Sequence, residues 1–581
     1  MSNSKQFYSD GLVNIERLLN GQDYYEIPVL QRNYVWSKDN IKNLMTDIKE
    51  SMDEDLTQDY FIGSMVFSEG KDRKIVVDGQ QRITTLSLIF AVAVARFKED
   101  EDTDYIGLYS SYLYKKTPDD DGVIQSMNRL KHHDRDNHFF TELISNNAIG
   151  TSVTTSQTNM VTARETIEDE LSSFKEDHEL KRFMNYLAKR VHIVSMVTSD
   201  LNMAFRIFET LNDRGAKLQP EDLLKNMLLR NLSDGSYDQV AKSWDNFINV
   251  LTSDNGKLLV PTSTFLKHYV MSKGDMVQKA KLYKWFDDLT QLPAENQIKL
   301  LGYELNTNEG INAFISELEE EAKIYAKALS GNFEESIDNC IALGVKQVLI
   351  MVLASKKLDE TKRKKVFTLM ESLIFSYVIT ASRFNVVEKS LFKIAGKIRS
   401  ADAKPALFDE AIEDIEALIL EKKEQALTAL VEFKMKKSDR KKAKYILSKL
   451  GESLDDIDHS GFTIEHIMPE EKSAGWKHVK ESAEDYEALV SSIGNLTLIN
   501  PSGNSSLKNK DFDSKRQVYS NQTMLTKTIV ESVYTGTKNT KHDKAIKAFN
   551  YDRVSGAWNK REIERRAKAL RDLAEHIWFK F

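Results

Sequence analysis

The chain reads as an α+β protein that is predominantly helical. Eight prolines and 24 glycines are few for 581 residues, which favours long helices over a β-sandwich or barrel. Apolar residues recur at three- and four-residue spacing through most of 160–430, as in "LFDEAIEDIEALILEKKEQALTALVEF" and "VKQVLIMVLASKKL". Short apolar runs that end in polar turns sit near the two ends. At this length one core is not enough, so two to four domains are expected.

Taken in order, residues 7–97 read as mixed α/β. "YYEIPVL" is a short strand, and Asp39 can cap a helix through "NIKNLMTDIKESM". "YFIGSMVFS" is a buried strand in which Gly63 marks a close backbone approach. "KIVV" is a further strand, and "ITTLSLIFAVAVARF" a buried helix. "KKTPDDDG" near 115–122 and "GTSVTTSQTN" near 150–159 are loops. Residues 160–430 then run helix after helix. After 455 a small pattern returns, with "FTIEHIMP" and "IGNLTLIN" as strands and "GNSSLKN" as a helix start. These shifts divide the chain at about 1–97, 98–429 and 430–581.

Composition excludes several classes. Cys340, the single cysteine, rules out an intramolecular disulfide framework or a zinc knuckle built from Cys pairs. No positive stretch followed by an apolar run opens the chain, and "LSLIFAVAVARF" is too short to span a bilayer, so a cytoplasmic protein without membrane contact is expected. A formal net charge of −7 argues against indiscriminate coating of nucleic acid. Two basic stripes, Lys434–Lys449 and Asn559–Arg571, are either solvated helix faces or local binding surfaces.

The strand–turn–helix at 75–97 carries "DGQQR" at its corner. A helix N-terminus offers unpaired N–H groups and partial positive charge, so it suits an anion. Arg82 adds a bidentate phosphate donor, and Thr84 and Thr85 add hydroxyls. Asp78 can bind a metal or hold Arg82; Gln80 and Gln81 can bond a base, a sugar or a phosphate. Gln31, Arg32, Tyr34 and Trp36 can bring a second cationic and aromatic group to that face. The same residues also suit a tight turn with a structural Arg–Asp pair, and Tyr34 and Trp36 equally suit core packing. In "FETLNDRGAKLQPEDLL", a loop exposing Asn212 and Arg214 can close over the pocket or form a helix–helix corner, with Pro220 in the first turn of the next helix. No G-x-x-x-x-G-K-[ST] occurs, so triphosphate hydrolysis would not use a P-loop.

"FTIEHIMPE" sets Glu465 and His466 at the end of an apolar strand closed by a proline, and "IGNLTLINPSGNSSLKNKDF" follows. This pattern resembles the HNH, or ββα-metal, nucleases. The resemblance implies that His466 takes a proton from the attacking water and that Glu465 and Asn504 hold one Mg²⁺ or Mn²⁺ ion. It further implies that Asn495 braces the loop carrying the histidine and that Lys508 lies near the phosphate. A hard divalent ion prefers oxygen ligands, and a neutral imidazole can accept a proton near pH 7. Glu465 stands where that family more often has Asp, which alters ligand reach.

A narrower resemblance covers both ends. "YILSKL", "FTIEHIMPE", "GW" at 475–476, "IGNLTLIN", "NSSLKNKDF" and Lys515 are similar, in order, to the C-terminal HNH domain of GmrSD-type proteins. "IPVLQRNYVWSKDNI", "YFIGSMVF", "VVDGQQRITTL" and "FRIFETLNDRGAKLQPEDLLKN" look like the N-terminal domain of that family, whose core is similar to the ParB/sulfiredoxin fold. It implies a pocket for a nucleoside triphosphate (GTP, ATP or another) or for modified DNA, with NTPase activity, drawing on Gln31, Arg32, Tyr34, Trp36, Asp78, Gly79, Gln80, Gln81, Arg82, Thr84, Thr85, Asn212 and Arg214. It implies type IV restriction: a nucleotide-regulated nickase acting on modified double-stranded phage DNA, for which two cooperating copies, a homodimer, would give a double-strand break. The competing classes are a nucleotide-gated DNA-binding protein that does not cut and an RNA-directed HNH nuclease.

Overall fold

The computed structural model describes residues 7–28, 33–118, 123–145, 154–199, 203, 204, 207, 220–232, 237–253, 257–501, 507, 509–532 and 542–581. The chain divides into two compact units, 1–263 with 279–319, and 264–278 with 320–581. Helices make up most of both, so the α+β, mainly helical class holds. No described helix is long and apolar enough to cross a membrane.

The first unit is built on a six-stranded mixed sheet. Its strands are β1 (Phe7–Asn14), β2 (Tyr25–Glu26), β3 (Tyr60–Ser68), β4 (Lys74–Asp78), β7 (Leu130–Lys131) and β8 (Val191–Thr198), in the order β1-β8-β3-β4-β2-β7. β8 runs antiparallel to β1 and parallel to β3. β5 (Tyr114–Pro118) and β6 (Ile124–Asn128) form a separate hairpin where a plain loop was expected over 115–122. Residues 119–122 of that stretch lie outside the described residues.

Around the sheet lie α1 (Ile15–Asn20), α2 (Lys38–Glu54), α3 (Gln80–Glu99), α4 (Thr103–Ser110), α5 (Asp134–Ser145), α6 (Thr155–Leu171) and α7 (Asp177–Arg190). α3 is apolar around most of its circumference and is buried from Gln80 to Val94 apart from Arg82, as such a sequence demands. α2 begins two residues earlier than Asp39 would dictate. Ser37 is its N-cap, and the Ser37 backbone N–H donates to Asn40 Oδ1 at 3.0 Å. Pro220 opens the helix Pro220–Arg230 as expected, where its missing N–H costs nothing.

The N-terminal core therefore does not close at residue 97. β8, at 191–198, pairs with both β1 and β3, and its buried positions alternate along the strand. The expected run of helices from 160 missed it because Arg190 passes into Val191 with no Gly or Pro between.

The second unit holds the helices Glu335–Ala342, Glu360–Ile379, Ala406–Val431, Arg440–Glu452 and Lys560–Trp578, and an antiparallel pair β9 (Thr463–His466) and β10 (Leu496–Ile499). The nuclease-like segment does not start a separate body at 430. Phe375 stacks on Trp578 with ring centroids 3.8 Å apart. Buried Glu371 accepts from Asn339 Nδ2 at 2.9 Å and from the Tyr445 hydroxyl at 3.0 Å, which joins three helices at one polar point.

Candidate functional site

Two strand ends carry the expected chemistry, one in each unit. In the first, β4 ends at Asp78 and Gly79 turns the chain into α3 with φ 96° and ψ 4°. A side chain there would strain the backbone, and a Cβ would lie 2.5 Å from Met65 Cγ.

The polar groups that follow turn inward. Arg82 Nη1 donates to Ile62 O at 3.0 Å, and Nη2 donates to Ser64 O at 2.6 Å and Asp78 Oδ2 at 3.4 Å. The pairing of β3 with β8 is irregular between Phe61 and Ser64, which leaves those two carbonyls for the guanidinium. The close approach expected at Gly63 is therefore made by Arg82: a Cβ on Gly63 would lie 2.2 Å from Nη1. Desolvation lowers the Arg82 pKa, and Asp78 opposes that shift.

Gln81 grips the "NYVW" segment. Its Oε1 accepts from Val35 N at 2.9 Å and Trp36 N at 3.3 Å, and its Nε2 donates to Asn33 O at 3.2 Å. Tyr34 is buried, its hydroxyl 2.7 Å from Thr85 Oγ1, while its N–H donates to Ser156 Oγ at 3.1 Å. Thr85 Oγ1 also donates to Gln81 O at 2.8 Å. Thr84 Oγ1 lies 3.2 Å from Nε2 of buried His132, whose pKa burial pushes down to about 3. Gln80 is buried, and Trp36 is partly buried against the core.

The structure thus brings Tyr34, Trp36, Asp78, Gly79, Gln80, Gln81, Arg82, Thr84 and Thr85 together around the start of α3. Of the two readings, the structural Arg–Asp pair and core packing of Tyr34 are the ones whose contacts are present. Gln31, Arg32, Asn212 and Arg214 lie outside the described residues.

In the second unit, β9 and β10 pair so that His466 faces Leu496 and Glu465 faces Thr497. Asn495, fully buried, uses its whole amide: Oδ1 accepts from Met468 N at 2.8 Å and Trp558 Nε1 at 2.9 Å, and Nδ2 donates to Met468 O at 2.9 Å and Val490 O at 3.0 Å. It fixes the backbone two residues past His466. Arg566, also fully buried, donates to Gly494 O at 3.1 Å and Leu496 O at 2.6 Å. One member of the C-terminal basic stripe is therefore an internal clamp.

His466 keeps 19% of its side chain exposed, with Nε2 3.7 Å from Oε1 of exposed Glu470. Burial chiefly holds its pKa below the usual imidazole value; Glu470 opposes this, and Lys515 and Arg440 reinforce it. Burial thus favours the neutral imidazole, the form able to accept a proton.

Glu465 is arranged otherwise. Its Oε1 accepts from Lys515 Nζ at 2.6 Å and the Tyr519 hydroxyl at 3.1 Å, and Lys515 Nζ also donates to His466 O at 2.7 Å. A divalent ion on that oxygen would meet an ammonium whose side chain is fully buried and cannot retreat into water. Glu465 Oε1 is spent on Lys515 and Tyr519 and as it stands does not fit a cation ligand. Asn504 and Lys508 lie outside the described residues. Among the described residues no cluster of three or more His, Cys, Asp or Glu side chains could hold a metal ion.

Lys515, Tyr519, Trp558 and Arg566 were not singled out from sequence as site-building groups. Lys515 gave a signal as the last match of the ordered series "NSSLKNKDF…K", and Arg566 only as one member of the basic stripe Asn559–Arg571.

No curated protein matches the chain. Two family profiles do. Residues 15–229 match the profile described as GmrSD restriction endonuclease, N-terminal domain, and residues 420–573 match GmrSD restriction endonucleases, C-terminal domain. The first match takes in β8 and the second takes in Arg566. With both halves matched in order over more than half its length, the chain belongs to the GmrSD restriction endonuclease family.

Proposed function

We propose that this protein is a DNA endonuclease of phage defence that nicks modified foreign DNA under the control of a nucleotide bound by its first unit. Membership of a restriction endonuclease family implies DNA as the substrate and phosphodiester hydrolysis as the reaction. The observation that carries the mechanism is His466: a neutral, partly exposed imidazole at a strand end that Asn495 and Lys515 hold from two sides.

In this reading His466 takes the proton from a water that attacks phosphorus, and Asn495 keeps the following backbone fixed so that the imidazole stays aimed. Mg²⁺ or Mn²⁺ would supply stabilisation of charge on the leaving oxygen; its ligands would be drawn from residues other than Glu465. In the first unit, GTP, ATP or another triphosphate, or the modified base itself, would meet the start of α3. Gln81 fixes the segment that follows Gln31 and Arg32 in sequence to the start of α3, which supports a role for these neighbouring residues in one ligand site.

His466→Ala tests the assignment. Nicking of supercoiled plasmid should fall about 10²- to 10⁴-fold, the usual range for loss of a general base, with an unchanged melting temperature. The wild-type rate should fall as pH drops below the normal imidazole range, because protonation removes the base. Parallel incubations with modified DNA, unmodified DNA and total RNA, each with and without GTP and ATP, separate this reading from an RNA-directed nuclease or a non-cutting binder. Cleavage that survives the substitution would refute it.

A further inference from the structure

We propose that Lys515 is the positioning residue of the nuclease site, and that Glu465 is its buried counterion rather than an ion ligand. This rests on the reading of His466 as the general base.

One ammonium grasps two consecutive residues of β9. Lys515 Nζ lies 2.6 Å from Glu465 Oε1 and 2.7 Å from His466 O. Tyr519, one helical turn further along Phe512–Tyr519, donates to the same carboxylate oxygen at 3.1 Å. The Lys515 and Tyr519 side chains are both fully buried. Glu465 and His466 are neighbours on a strand, so their side chains leave it on opposite faces. Glu465 points inward to the helix while His466 keeps its partial exposure.

Among the described residues β9 has four residues and one partner strand, so its end needs anchoring from elsewhere. Asn495 supplies that anchor at Met468, and Lys515 supplies it at His466 itself. A buried ion pair is weak evidence for stability, since apolar residues of like volume often do as well. What an apolar pair could not reproduce is the bond to the His466 carbonyl, which sets the backbone from which the imidazole projects. Lys515 therefore acts on the chemistry through His466.

The two roles for Glu465 predict opposite rankings. Glutamine can still accept from Lys515 and Tyr519 but, without the negative charge, binds a divalent cation more weakly than glutamate does. The experiment is steady-state nicking of supercoiled plasmid by the full-length chain across a Mn²⁺ titration, with wild type, His466→Ala, Glu465→Gln and the paired variant Glu465→Gln/Lys515→Met. The paired variant is neutral and close in volume, so it keeps the packing while losing the carbonyl bond.

Glu465→Gln leaves the Lys515 ammonium without its charge partner and should melt earlier, but the folded variant should retain kcat and the Mn²⁺ midpoint within about tenfold of wild type. Removing Lys515 from that background should then lower kcat by more than about tenfold, with KM and the Mn²⁺ midpoint unchanged. A loss or midpoint shift beyond about tenfold in Glu465→Gln overturns the proposal, as does a smaller kcat loss on removing Lys515 from it. Should the paired variant fail to fold, the Glu465→Gln arm decides. A wild type that nicks nothing, or a His466→Ala that nicks normally, instead overturns the nuclease reading and this proposal with it.

Discussion

The corner at Asp78–Arg82 and the strand end at Glu465–His466 look alike in sequence: each sets polar residues where an apolar strand stops. In the structure they differ in where those groups are spent. At the first, Gln81, Arg82, Tyr34 and Thr85 all bond within the fold, to the backbone of 33–36, to β3 and to each other. At the second, Glu465, Lys515 and Asn495 are consumed in the same way, yet His466 is left partly exposed, with burial favouring its neutral form. A polar motif is thus scaffold and reagent in different proportions, and the hydrogen-bond partners tell which. Substitutions at the first corner should cost stability, and substitution of His466 should cost chemistry.

The largest effect that could break this contrast is at Gly63. Alanine there would hold φ near 106° with a side chain and drive into Arg82 Nη1, so unfolding of the first unit should become easier by about 3 kcal/mol. Urea melts followed by tryptophan fluorescence would measure it, and an unchanged midpoint would show that Arg82 is free to move.

Gln81→Ala comes next. It strands the Val35 N–H and the Asn33 carbonyl, with an expected loss of about 2 kcal/mol. If the segment reads a nucleotide, nucleotide dependence of nicking should weaken in the same variant while basal nicking persists. Loss of regulation without loss of stability would move Gln81 from scaffold to reader.

Over the single pH unit between pH 6 and pH 5, the smallest effect is a pH dependence. His132 is buried and neutral when folded, with its pKa pushed down to about 3 from an unfolded value near 6.5. Below the unfolded value the unfolded chain binds the extra proton, so stability is complete above about 6.5 and is lost as pH falls toward 3. The slope reaches about 1.4 kcal/mol per pH unit inside that window. His132→Phe should flatten it, and an unchanged slope in urea melts between pH 6 and pH 5 would exclude His132 as the source.

Part of this was legible early. β3, β4 and α3 follow from apolar runs and their periodicity, and β9 and β10 from "FTIEHIMP" and "IGNLTLIN". β8 was not, because a strand that follows a helix without a turn residue leaves no punctuation. The Ser37 cap was displaced to Asp39, since any of several adjacent polar residues can begin a helix.

By itself the sequence determined most of the local elements and the family, and it singled out His466 as a candidate base, because periodicity and ordered motifs act over short spans. Only the tertiary structure decided that Gln81 binds a segment 46 residues away and that Lys515 takes Glu465 across 50 residues. Those choices depend on which distant backbone is brought within 3 Å in a place without water. There, an unmatched polar group is costly enough that whichever partner the fold presents is the one that is used.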